Sequence, residues 1–121
     1  MDFNWCTSES NKKIVTLNSG SITLNSAASK HFENVTYAML GVNQKGQLGI
    51  KPVTKEEAAN NYYPKEQLHH ISAGKSYMRI SNKNFLLELS KSFNLDLEAN
   101  GNVKFPAYFD VVHQILLVDL N

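Results

Sequence analysis

Apolar residues recur with a period of two over several short stretches of the chain and with helical spacing over one. Residues 13–25, KIVTLNSGSITLN, carry apolar and β-branched residues on both sides of Asn18-Ser19-Gly20-Ser21. Two such runs around a turn cluster predict a β-hairpin, because turn residues let the chain reverse while alternation gives each strand one apolar face. Asn25 or Ser26 then offers a side-chain oxygen to unpaired N–H groups. A short helix is therefore expected over Ala27–Glu33, with Ala28 and Phe32 on one face. Residues 36–53, TYAMLGVNQKGQLGIKPV, read as strand, turn and strand, with the turn at Asn43–Gly46. Leu48, Ile50 and Pro52 alternate with Gln47, Gly49 and Lys51. Pro52 lacks an N–H and is expected at the end or edge of its strand.

The polar stretch 54–66, with Asn60-Asn61 and Pro64, reads as a connection holding one helical turn over Glu56–Asn60. Beyond it the plan recurs. His70–Ser72 and Tyr77–Ile80 flank a turn at Ala73-Gly74-Lys75, and Ser81 is expected to cap a helix over Asn82–Phe93. Phe85, Leu86, Leu89 and Phe93 define that helix's apolar stripe. Leu95 and Leu97 alternate with Asp96 and Glu98, Asn100-Gly101 signals a hairpin, and Val103 and Phe105 resume alternation before a closing strand over Ile115–Leu120. Residues 13–25 align without a gap on 69–81, and 36–53 on 104–121, so that Val15 meets Ile71, Leu24 meets Ile80 and Leu48 meets Leu116. The repeat predicts one α+β domain over 1–121, mainly antiparallel strands with two short helices, built as two pseudo-symmetric halves. The first half is 13–53, the connection 54–66 and the second half 67–121. A single sheet with helices on one face is the alternative. An N-terminal arm, 1–11, carries Phe3 and Trp5 and is expected to dock on the second half or on a second subunit.

The segments KIVTLNSGSITLNSAASKHF and YAMLGVNQKGQLGIKPV resemble the AbrB/SpoVT swapped-hairpin domain. The resemblance is close over 13–53 and looser over 69–121, and two copies in one chain are similar to the MraZ arrangement. It implies a transition-state regulator or antitoxin that binds double-stranded DNA through a basic face. The family's arginine-rich places are held here by Lys12, Lys13, Asn18, Ser26 and Lys30, and in the second copy by Lys75, Arg79 and Lys83. The nucleic-acid-binding residues so implied are Lys12, Lys13, Lys30, Lys75, Arg79 and Lys83. Asn25-Ser26 stands where the family usually opens its helix with proline.

Charge adds to this picture through its placement. Formal net charge is +1, yet 12–83 holds ten basic residues against four acids and 84–121 holds two lysines against five acids. A basic middle suits an anionic partner, and an acidic C-terminal part sharing its face would oppose one. Cys6 is the single cysteine, which suits a reducing compartment, and no run approaches a membrane span or a leader peptide. A cytoplasmic chain without membrane contact is expected.

Catalytic patterns are weak. His69 and His70 are adjacent and would point to opposite faces of a strand, with no HExxH and no cysteine cluster. His31, His113, Asp96, Glu98 and Asp110 read as solvated surface groups, and Cys6 has no evident base beside it. Gly74-Lys75-Ser76 lacks the preceding glycine spacing of a phosphate loop. Trp5, Tyr62 and Tyr63 read as packing or interface residues. No catalytic, cofactor or metal residue is assigned. The chain is expected to be a small non-enzymatic binding protein, an AbrB-like regulator. The alternatives are a protein-interaction module, with a protein partner or as a homodimer, and a small metal-dependent enzyme using His69 or His70.

Overall fold

The computed structural model describes residues 12–74, 77–97 and 101–120. The arm with Phe3, Trp5 and Cys6, and residues Lys75, Glu98 and Asn100, lie outside them. Eight strands form: β1 Lys13–Leu17, β2 Ser21–Leu24, β3 Tyr37–Val42, β4 Gln47–Val53, β5 His69–Ala73, β6 Met78–Ser81, β7 Val103–Asp110 and β8 Ile115–Asp119. The α-helices are α1 Ser26–Ser29, α2 Lys55–Ala59 and α3 Lys83–Phe93. The strands close into one antiparallel barrel in the order β1-β2-β6-β5-β3-β4-β8-β7.

This corrects the expected α+β domain of two AbrB-like halves. Of the described residues, 42% lie in strands and 26% in helices, so the domain is mainly β. The halves also fail as separate bodies. β1 pairs with β7, β2 with β6, β3 with β5 and β4 with β8, so each set of four strands finds half its partners in the other set. Closure explains this, because each set alone is two separate hairpins with four unpaired edges. Exchanging β1–β4 for β5–β8 leaves every neighbour pair in place. The recurrence along the sequence is thus a recurrence of strand order inside one barrel.

Asparagines set the turns and helix starts. Asn18 Oδ1 accepts from the N–H groups of Gly20 and Ser21 at 2.9 and 2.7 Å and reverses β1 into β2. Asn43 Oδ1 accepts from Lys45 and Gln47 N–H, and Gly46 takes a φ of 80° to finish that turn. Asn25 caps α1, accepting from Ala28 N–H at 3.0 Å and Ile14 N–H at 3.1 Å while donating to the Lys12 carbonyl at 2.7 Å. Asn82, not Ser81, caps α3 through Phe85 N–H at 3.0 Å, because Ser81 is still paired with Ser21 in the sheet. Asn94 ends α3 with a left-handed φ of 53°. Leu95 and Leu97 do not form the expected strand. Leu95 N–H bonds back to the Ser90 carbonyl, and Leu97 is buried in the core. Pro52 lies inside β4 opposite Ala38, but pairing with β8 stops at Ile50, so its missing N–H costs no ladder bond on that side.

The interior is filled by alternate residues of the strands, among them Val15, Leu17, Ile22, Leu24, Ile50, Ile80 and Leu116. α1 follows from the end of β2, and Ala28 and Phe32 close that mouth of the barrel. α3 covers the opposite mouth, where Leu86, Leu89 and Leu97 are buried and Asn82 N–H reaches the Gly20 carbonyl of the β1–β2 turn. Among the described residues, no helix is long and apolar enough to cross a membrane.

Candidate functional site

Alternation leaves a second set of side chains on the outside. In β1 and β2, Thr16 and Thr23 fall between buried Val15, Leu17, Ile22 and Leu24, and face one another across the strands. Thr23 is paired with Arg79, Arg79 with Ser72, and Thr16 with Lys104. The barrel thus carries an outward row Ser72–Arg79–Thr23–Thr16–Lys104 across β5, β6, β2, β1 and β7. It combines two cations with three hydroxyls. β1, β2, β5 and β6 contain no carboxylate. The Arg79 guanidinium lies 5.8 Å from the centre of the Tyr77 ring, a cation–π distance that limits where this long side chain points.

Of the five lysines and one arginine inferred from sequence, the described ones do not form one cluster. Arg79 is in the row and exposed. Lys12 and Lys30 are exposed at the mouth closed by α1, and Lys13 is half-buried there, in phase with the inward Val15. Lys83 opens α3 at the opposite mouth, lining a small depression of about 190 Å³ with Ser19, Leu87 and Asp96. Lys75 lies outside the described residues. Lys104, Thr16, Thr23 and Ser72 were not singled out by the sequence. Alternation around Val15 and Ile22 marks Thr16 and Thr23 as outward, but Lys104 joins them only through the β1–β7 pairing. Of the acids in the C-terminal part, Asp119 pairs with Gln47 away from the row, and Asp110 ends β7 six residues beyond Lys104, where it pairs with Ile115.

The histidines are individually placed. His69 Nδ1 accepts from Asn82 Nδ2 at 3.2 Å, and burial holds its pKa below the ordinary imidazole value. His70 faces the other side of β5, edge-on to Tyr37 at 6.2 Å. His31, expected in solvent, stacks on Phe109 at 4.0 Å, and burial together with the nearby Lys13 charge lowers its pKa. The His113 ring donates to Asp110 Oδ2 at 2.8 Å, and this bond depresses the Asp110 carboxyl. Among the described residues, no three His, Cys, Asp or Glu side chains come together in a metal-binding group. No protein-family model, curated protein or solved structure matches the chain.

Proposed function

We propose that this chain is a non-enzymatic binding protein that holds double-stranded DNA against the outward row of β5, β6, β2, β1 and β7, as an AbrB-like regulator would. The observation that carries the reading is the row itself, with Arg79 and Lys104 flanking Thr23 and Thr16, and with no carboxylate on β1, β2, β5 or β6. Arginine, lysine and hydroxyl groups are the usual donors to phosphate oxygens. Three strand spacings separate Arg79 from Lys104, about 14 Å at ~4.8 Å per strand, close to the ~12 Å width of the DNA major groove. Arg79 is the single arginine of the chain, so the contacts read phosphate position more than base identity. Lys12 and Lys30 extend positive charge to one end of the row. A DNA partner agrees with a cytoplasmic chain, the location that the lone Cys6 suggests.

Counterion release supplies the test. Binding to mixed-sequence duplex is measured across a salt series, and log affinity is expected to fall by about 0.9 per phosphate contact for each tenfold rise in salt, about 4 in all for four to five contacts. No binding at low salt overturns the reading.

A further inference from the structure

The barrel closes over its shortest stretch where β3 meets β5. β3 faces β4 over six residue pairs, from Tyr37↔Val53 to Val42↔Leu48, but it faces β5 only at Tyr37↔His70 and Ala38↔His69. The chain enters β5 through the 3-10 turn Lys65–Gln67, where Gln67 N–H bonds to the Pro64 carbonyl and Leu68 N–H to the Lys65 carbonyl. The residues that would extend β5 alongside Met39–Val42 are thereby turned back on themselves. Alternate residues of an antiparallel strand bond to opposite neighbours. The Thr36 carbonyl accepts from Ile71 N–H at 3.0 Å, so the even-numbered residues of this stretch turn their backbone groups towards β5. The N–H and C=O groups of Leu40 and Val42 therefore point along the sheet to a place that no strand occupies, and no hydrogen bond from another described residue reaches them. Unpaired groups of this kind are a template for a further strand.

Beside this edge lies a groove of about 510 Å³. Its apolar part is Met39, Leu40 and Phe85, and both Leu40 and Phe85 pack against the core while staying half-buried. Its charged part is Glu66, in the 3-10 turn, and Glu88, three residues after Phe85 on α3 and so on the same helix face. Both carboxylates are exposed, and neither has an ion-pair or hydrogen-bond partner among the described residues. Among those residues no lysine or arginine lines the groove. His69 at its wall is neutral near pH 7, since Nδ1 accepts from Asn82 and burial lowers the imidazole pKa.

We propose that the free edge of β3 takes up an extended, basic segment of a partner protein as an added strand, its backbone bonded to Leu40 and Val42 and its lysine or arginine side chains set against Glu66 and Glu88. Strand addition of this kind draws affinity from main-chain bonds and specificity from the side chains that flank the edge. The free edge Met39–Val42 is about 13 Å long at ~3.3 Å per residue, enough for a short peptide segment. Charge decides among the possible occupants. DNA phosphates are repelled by the two carboxylates. Residues 1–11 carry Asp2 and Glu9 and no lysine or arginine, so the chain's own arm is mismatched to the groove. Pairing of two β3 edges across a two-fold axis would bring Glu66 and Glu88 of both copies together. The site uses no residue of the Ser72–Arg79–Thr23–Thr16–Lys104 row, so either reading can fail without the other.

Titration of the full chain with two capped pentapeptides tests this, one alternating lysine with valine and the other alternating glutamate with valine. The lysine peptide should bind more tightly by about tenfold or more. Glu66→Lys with Glu88→Lys changes two exposed positions, so the double variant is expected to keep the parent's melting temperature and to reverse the preference. Amide exchange separates strand addition from simple charge attraction. With the lysine peptide bound, exchange at Leu40 and Val42 should slow by about tenfold or more, while Met39 and Gly41, already turned to β4, should change little. No binding of the lysine peptide, equal binding of the two peptides, or a double variant that keeps the parent's preference overturns the proposal. So does binding of the lysine peptide without slower exchange at Leu40 and Val42, since the groove would then be an acidic patch and no strand site. Binding that appears only after residues 1–11 are removed also overturns it, because the arm would then be the occupant.

Discussion

The two outer sides of the barrel rest on the same interior and differ in almost everything else. On the β5-β6-β2-β1 side Val15, Leu17, Ile22 and Ile80 point inside and Thr16, Thr23, Arg79 and Ser72 outside, with Ile14 the apolar exception on the outer face. On the β3-β4-β8 side alternation breaks down, because Ile115 and Leu117 are apolar on the outside and Gly41 and Gly49 offer no side chain at all. Closure requires only the inward residues. The outward ones are free of that constraint, and the two sides differ accordingly, one carrying hydroxyls and cations and one a largely apolar hollow.

The shared interior is the first place to press this comparison. Leu17 lies behind the polar side and Leu116 behind the apolar side, both fully buried. Replacing either by alanine is expected to cost about 2–5 kcal/mol in urea unfolding, through lost transfer energy and the cavity left behind. Losses of similar size mean one core serves both sides. A negligible loss at either site would mean that side is not part of it. Asn25→Ala comes next. It removes the α1 cap, the acceptor for Ile14 N–H and the donor to the Lys12 carbonyl, and about 1–2 kcal/mol is expected to disappear with them.

Such residues also show what could be read from the sequence. Period-two alternation located both hairpins of residues 13–53, and the Asn18 and Asn43 turns followed from side-chain chemistry that acts within a few residues. The long helix was legible for the same reason. Strand partners were not, since nothing local in β1 says that it will pair with β7, and a pattern of two units hid a barrel that neither could close. Ser81 was misread as a cap because its pairing with Ser21 is such a long-range bond. The candidate site failed in the same way. Arg79 stood out as the lone arginine, whereas Lys104 became its companion only through two intervening strands.

Smaller effects sharpen the contrast on the apolar side. Gly41→Ala adds a methyl group into open space and removes a flexible strand residue, so a gain of about 0.5 kcal/mol is expected. Gly49→Ala should not gain equally, because its Cβ would lie 3.3 Å from Ile115 Cγ2. Equal gains at both sites would contradict the geometry of the hollow. The smallest effect is that of pH. His31 is held below its ordinary pKa of about 6.5 by burial and by Lys13, so below that pH the unfolded chain takes up a proton that the folded chain resists. Stability should therefore fall as pH drops through about 6.5 and continue to fall towards the lower folded value. His31→Gln should flatten part of that slope in thermal unfolding, and an unchanged slope would assign it to other groups, His69 among them.

The most direct measurement compares two pairs of charge removals in one DNA titration. Arg79→Ala with Lys104→Ala strips the outward row, whereas Lys55→Ala with Lys91→Ala removes the same charge from exposed positions on α2 and α3. Near 0.1 M salt the first pair should weaken binding by about tenfold per lost phosphate contact and reduce the salt slope by about two. The second pair should leave both quantities close to those of the parent. Equal losses from the two pairs would mean that DNA responds only to net charge, and the row would then have no claim to be the binding face.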